Sequence, residues 1–210
     1  MEGTAATLVP ERATLPKLRE AAAGCRACDL WKTGTQTVFG EGPAKARLIF
    51  LGEQPGDRED REGKPFVGPA GRMLDRAFEE VGIPREETYV TNVVKHFKWT
   101  QGRGKRRLHQ RPNAEEIRAC RPWLESEIAV IEPELLVCLG ATAAKAIFGS
   151  KFRVTKDRGT FVPTPFGPEG TATVHPSSLL RIDEEEERQL AIAEFTADMA
   201  RIAERLRNGA

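Results

Sequence analysis

The chain has 210 residues, with 32 basic and 31 acidic side chains, four cysteines and three histidines. That length suits one domain able to bury its own core, and a 40% apolar fraction excludes a disordered chain. No apolar run approaches the ~20 residues of a membrane span, four cysteines are too few for a disulfide scaffold, and a net charge of +1 argues on average against nucleic acid. The opening Met-Glu-Gly-Thr-Ala-Ala has no basic region followed by an apolar stretch, so a cytoplasmic location is expected.

Residues 1–14 are small, polar and aperiodic and read as a mobile tail, followed by one domain over 15–208. Leu15, Leu18 and Ala22 stand at helical spacing and stop at Gly24, a short helix running into Cys25-x-x-Cys28. Strand candidates cover 47–51, 88–94, 135–139 and 171–174, and helix-like stretches cover 71–81, 114–131, 141–148 and 184–206. Strands alternating with helices predict an α/β fold: a central, mostly parallel, four-stranded sheet flanked by helices. Ligands in such folds bind at the carboxyl ends of the strands. Gly52-Glu53-Gln54-Pro55-Gly56, Asn92 and His175-Pro176-Ser177-Ser178 all fall there.

The charge is uneven. Lys95, Lys98, Arg103, Lys105, Arg106, Arg107 and Arg111 form a run without an acid, balanced in part by Asp183 and Glu184 to Glu187. Most basic runs are solvated loops. This one also carries Gly102, Gly104, Trp99 and, at its expected tip, His109, a composition suited to a flexible loop on a phosphate backbone. Near-zero net charge therefore does not exclude DNA.

Cys138 lies inside an apolar strand and reads as a small buried thiol. Cys25, Cys28 and Cys120 remain, and His96 is the natural fourth ligand. Such a set suits zinc or an iron–sulfur cluster; spacing does not choose, and Cys₃His chemistry by itself favours zinc.

Four ordered motifs resemble the uracil-DNA glycosylase superfamily, in particular its iron–sulfur branches: Gly52-Glu53-Gln54-Pro55-Gly56, Gly63-Lys64-Pro65-Phe66-Val67-Gly68, Val90-Thr91-Asn92-Val93-Val94-Lys95 and His175-Pro176-Ser177-Ser178-Leu179-Leu180-Arg181. Two departures, His96 in place of a cysteine and the basic insert from Gly102 to Gln110, look like the UdgX branch, whose members attach covalently to DNA where uracil was removed. The resemblance replaces zinc by a [4Fe–4S] cluster on Cys25, Cys28, His96 and Cys120. It implies uracil-containing DNA as partner, single strands preferred, no membrane, and a monomer.

The same resemblance suggests roles. Phe66 stacks on a flipped pyrimidine, Asn92 donates to uracil O4 and accepts from N3–H, and Gln54 and Gly56 lie near the uracil carbonyls. Glu53 stabilises or positions the attacking group, and His175 donates to uracil O2 as the base leaves. Lys95, Arg106, Arg107, Ser177, Ser178 and Arg181 are candidate DNA contacts. His109, in Lys105-Arg106-Arg107-Leu108-His109, becomes the nucleophile toward C1′. Repulsion from surrounding arginines is expected to keep it neutral. An ordinary turnover iron–sulfur glycosylase and a non-catalytic iron–sulfur DNA-binding module are the alternatives.

Overall fold

A computed structural model of the chain describes residues 3–209. In chain order its regular elements are α1 (Leu15–Ala23), β1 (Leu48–Gly52), α2 (Asp57–Glu62), α3 (Pro69–Val81), β2 (Thr88–Asn92), β3 (Trp99–Gln101), β4 (Arg107–His109) and α4 (Ala114–Ile131). There follow β5 (Leu135–Leu139), α5 (Ala141–Phe148), α6 (Val154–Asp157), β6 (Val162–Pro163), β7 (Glu169–Thr173), α7 (Pro176–Leu179) and α8 (Glu185–Arg207).

Strands β1, β2 and β5 are buried along their whole length, as parallel strands covered on both faces must be. Alternate residues of each strand point to opposite faces. Ile49, Leu51, Leu136 and Cys138 join a core with α1 and α4, while Leu48, Phe50, Leu135 and Val137 join one with α3 and α8. Cys138 is thus an ordinary buried thiol, as its strand context suggests.

The sheet has five strands, ordered β2-β1-β5-β7-β6, rather than the expected four. The addition is β6, antiparallel at the edge. It has two residues and one is proline, so no alternation could mark it. Within the expected tail, Ala5–Leu8 forms a 3-10 turn with Ala5 buried in the core. The basic run between β2 and α4 also departs from expectation. It is an antiparallel hairpin, β3 with β4, and His109 sits at its base rather than its tip.

Gly71 fixes the loop carrying Phe66. A Cβ at Gly71 would stand 1.6 Å from the Phe66 carbonyl oxygen, a backbone atom that cannot yield cheaply. Gly71→Ala is expected to cost about 1–3 kcal/mol and to lower the melting temperature by about 2–10 °C; a thermal melt checks it, and an unchanged midpoint contradicts the packing described.

Candidate active site

The carboxyl ends of β1, β2, β5 and β7 open into a cavity of about 730 Å³, lined by Glu53, Phe66, Asn92, His109, Thr142 and His175 among others. The chain leaves β1 for β2 on one side and returns at β5 on the other, so the cavity lies at a topological switch point. Glu53 follows β1 and Thr142 follows β5; the Thr142 hydroxyl donates across the gap to Glu53 Oε2. The other carboxylate oxygen, Oε1, lies 3.5 Å from Nε2 of His109.

Gly52 pairs with Asn92 in the parallel ladder. A Cβ at Gly52 would stand 2.3 Å from Asn92 Oδ1 and 2.9 Å from Phe66 Cζ, so its bareness lets both side chains share one wall. Phe66 holds a φ of 57°, a strained conformation for a bulky residue that must be held in place by its surroundings. Its ring stacks at 25° and 6.2 Å on His175.

His175 caps α7. The Ser177 backbone N–H donates to its Nδ1 at 3.1 Å, so the lone pair is on Nδ1 and the ring proton on Nε2. Burial, then repulsion from Arg181 and His109, push its pKa down to about 4. Near neutral pH the ring is an uncharged donor.

Arg107 turns the hairpin inward. Its Nε donates to Asp57, Nη1 donates to Asp60 Oδ2 at 2.6 Å and Thr35 Oγ1 at 3.2 Å, and Nη2 donates to the Asp57 carbonyl at 3.1 Å. The guanidinium also covers the rings of Phe97 and Trp99. His109, two residues along β4 and so on the same face, is delivered to the cavity.

Gln54 then fixes the ring of His109. Its Oε1 accepts from the Lys98 backbone N–H at 3.1 Å, which orients the amide. Its Nε2 lies 2.9 Å from both the Gln110 carbonyl and His109 Nε2 and farther, 3.3 Å, from the Lys98 carbonyl, so its two protons go to the two nearer partners. An amide nitrogen only donates, so His109 Nε2 holds a lone pair and the proton is on Nδ1. The pKa of His109 is lowered, first by burial; Glu53 opposes this, and Arg181 and Arg111 add repulsion.

Outside the main cavity, Cys25 and Cys28 lie between α1 and β1, and Cys120 on α4. Cys25 and His96 line a second cavity of about 170 Å³. Cys25 Sγ accepts from Trp123 Nε1 and Cys120 Sγ accepts from the Lys95 backbone N–H, both at 3.3 Å. Burial raises the thiol pKa of Cys28, and that of Cys120 to about 12; Cys25 adds to both shifts, and Cys28 adds to that of Cys120. The three thiols therefore share one neighbourhood. Burial lowers the His96 pKa, leaving a neutral imidazole. Among the described residues no three His, Cys, Asp or Glu side chains close on a single-ion site.

The sequence pattern of the Uracil DNA glycosylase superfamily matches residues 39–200. The chain belongs to the uracil-DNA glycosylase superfamily. It is 38% identical over 172 residues to a type-4 uracil-DNA glycosylase of Thermotoga maritima, an alignment covering 81% of this chain and 85% of the relative. A type-4 uracil-DNA glycosylase of Sulfurisphaera tokodaii is 40% identical over 151 residues, 70% of this chain and 65% of the relative. That alignment thus spans just under two thirds of the relative's length. A type-5 uracil-DNA glycosylase of Thermus thermophilus is 30% identical over 159 residues, 67% of this chain and 68% of the relative.

Within this superfamily fold, Glu53, Gly56, Phe66, Asn92, His109, Ser177, Ser178, His175 and Arg181 all line the main cavity. Four expectations need correction. Lys95 is 1% exposed and paired with Glu127, so it is no surface DNA contact. Arg107 is spent on Asp57 and Asp60, leaving Arg106 as the exposed member of that pair. Gln54 lines the cavity as expected, but its side-chain amide is engaged by the hairpin. The Ser177 hydroxyl lies between His175 Nδ1 and Arg181 Nη2, each 2.9 Å away, leaving Ser178 and Arg181 at the exposed rim. The expected repulsion on His109 is present, from Arg181 and Arg111, though it comes behind burial.

Sequence reasoning missed Thr142, Asp57, Asp60 and Leu180. The two aspartates had a signal, an acidic stretch directly after Gly56 facing no assigned cation. Leu180, apolar yet 44% exposed at the cavity rim, had none beyond its motif.

The His175 pKa lies below the usual histidine value of 6.5. Between pH 6.5 and about 4 the unfolded chain binds a proton there that the folded chain does not, so stability falls as pH falls through that window. In His175→Gln the loss of melting temperature over that window is expected to be smaller than in the native protein. Equal losses contradict a buried neutral ring.

Proposed function

We propose that the protein excises uracil from DNA, preferring single strands, and then captures the abasic site through His109, in the manner of the UdgX branch. The observation that carries this reading is the placement of His109 Nε2 in the cavity, 3.5 Å from the Glu53 carboxylate.

A flipped uracil enters against Phe66, and single-stranded DNA reduces the unstacking this requires. The Asn92 amide donates to O4 and accepts from N3–H, a pattern cytosine reverses. As the C1′–N1 bond breaks, its electron pair leaves with uracil, and the Nε2–H of neutral His175 donates to the O2 where that charge gathers. Glu53 Oε1 stabilises the oxocarbenium character on the sugar. The Nε2 lone pair of His109 exchanges its Gln54 hydrogen bond for a bond to C1′, and the resulting imidazolium stands beside the Glu53 carboxylate. Arg106, Ser178 and Arg181 supply the exposed rim for phosphates.

Cys25, Cys28, His96 and Cys120 fit a [4Fe–4S] cluster. Three thiols and a neutral imidazole are donor types that such a cluster takes, and N–H donors already reach two of the sulfurs. When bound, the cluster ties the segment before β1 to α4 and serves structure. Iron and sulfide in anaerobically purified protein are expected; zinc without iron contradicts the assignment.

The protein acts in this reading as a cytoplasmic monomer. Among the described residues no helix is long and apolar enough to cross a membrane.

Incubation with a uracil-containing oligonucleotide followed by a denaturing gel separates the readings. A band that survives SDS and heat, lost in His109→Ala, is expected. Alkali-labile abasic product from the native protein supports turnover instead, and unchanged DNA supports simple binding. Asn92→Ala is expected to slow excision about 10- to 100-fold, the scale of one or two buried hydrogen bonds.

A further inference from the structure

The buried pair of Lys95 and Glu127 is not used by the chemistry above. Lys95 Nζ donates to Glu127 Oε2 at 2.5 Å, Thr91 Oγ1 at 2.6 Å and the main-chain carbonyl of Asn92 at 2.8 Å. All three ammonium protons are placed. Glu127, fully buried on α4, also accepts from the Tyr89 hydroxyl at 2.9 Å and the Thr91 hydroxyl at 3.0 Å.

Stability alone gives little reason for this arrangement, since a buried ion pair is often no better than apolar groups of the same volume. Its geometry gives one. Asn92 is the last residue of β2, where the ladder to β1 ends, and a buried carbonyl there needs a donor. Lys95 supplies it from three residues on. The Lys95 backbone N–H meanwhile donates to Cys120 Sγ at 3.3 Å. One residue therefore touches both the backbone beneath the base-reading amide and a thiol of the cysteine site.

We propose that Lys95 is a positioning residue for base excision: it holds the Asn92 carbonyl, and with it the amide that reads uracil, in register with Cys120, and Glu127 is its buried counter-charge. This rests on the reading of Asn92 given under the proposed function.

The test is Lys95→Met/Glu127→Gln, which leaves no charge in the core and keeps an acceptor for Tyr89 and Thr91. Melting temperature, iron content, affinity for uracil-free DNA and the single-turnover excision rate are measured on the holoprotein. A positioning role predicts the first three near native and excision slower on the order of 100-fold, the scale of a misplacement of about 1 Å. A folded, iron-loaded variant excising within about threefold of native overturns it. Where this variant does not fold, Lys95→Met/Glu127→Leu is measured with the same criteria. A native protein that excises no uracil overturns the functional reading itself, an outcome distinct from either.

Discussion

The ion pairs of Arg107 with Asp57 and Asp60 decide what the basic segment is. Asp60 is fully buried, so its carboxylate needs a cation on site, and Arg107 provides a planar donor set that also stacks on Phe97 and Trp99. Losing one partner of such a pair leaves a buried charge without compensation. The consequence is geometric: a stretch rich in arginine, lysine and glycine is drawn down over the cavity as a hairpin, and His109 arrives beside Glu53. The Gln54 amide ties the base of the same hairpin through Lys98 and Gln110.

The three histidines show how environment assigns chemistry. His96 is buried against Thr37, 3.0 Å from its hydroxyl, and stays neutral beside the cysteines. His175 carries its proton on Nε2 because a backbone N–H occupies Nδ1. His109 has the opposite tautomer because the Gln54 amide, itself locked by Lys98, points a donor at Nε2. In the proposed reaction these tautomers let one ring donate to the departing anion and the other attack the sugar cation. Neither assignment needs a charge change at neutral pH.

The legible parts of the fold were those with local causes. The strands at 48–52 and 135–139 are apolar runs, and the glycines that close them, Gly52 and Gly140, mark the cavity edge, while the strand at 88–92 is legible from its β-branched and aromatic residues. What stayed hidden depended on distant partners. Lys95 looks like a surface cation until Glu127, 32 residues away, is folded beneath it. Arg107 looks like one more phosphate contact until Asp57 and Asp60, 50 and 47 residues earlier, are placed against it. Gln54 reads as a uracil contact because its motif faces the cavity, yet Lys98 and Gln110 claim its amide. Strand β6 is too short to carry a period at all.

The central claim is that His109, and no other group in the cavity, bonds to C1′. Tandem mass spectrometry of the protease-digested adduct tests it most directly. The account predicts a deoxyribose remnant on the peptide containing His109, with fragment ions locating it on that ring. A remnant on Glu53, or an unmodified His109 peptide alongside released abasic DNA, would contradict it.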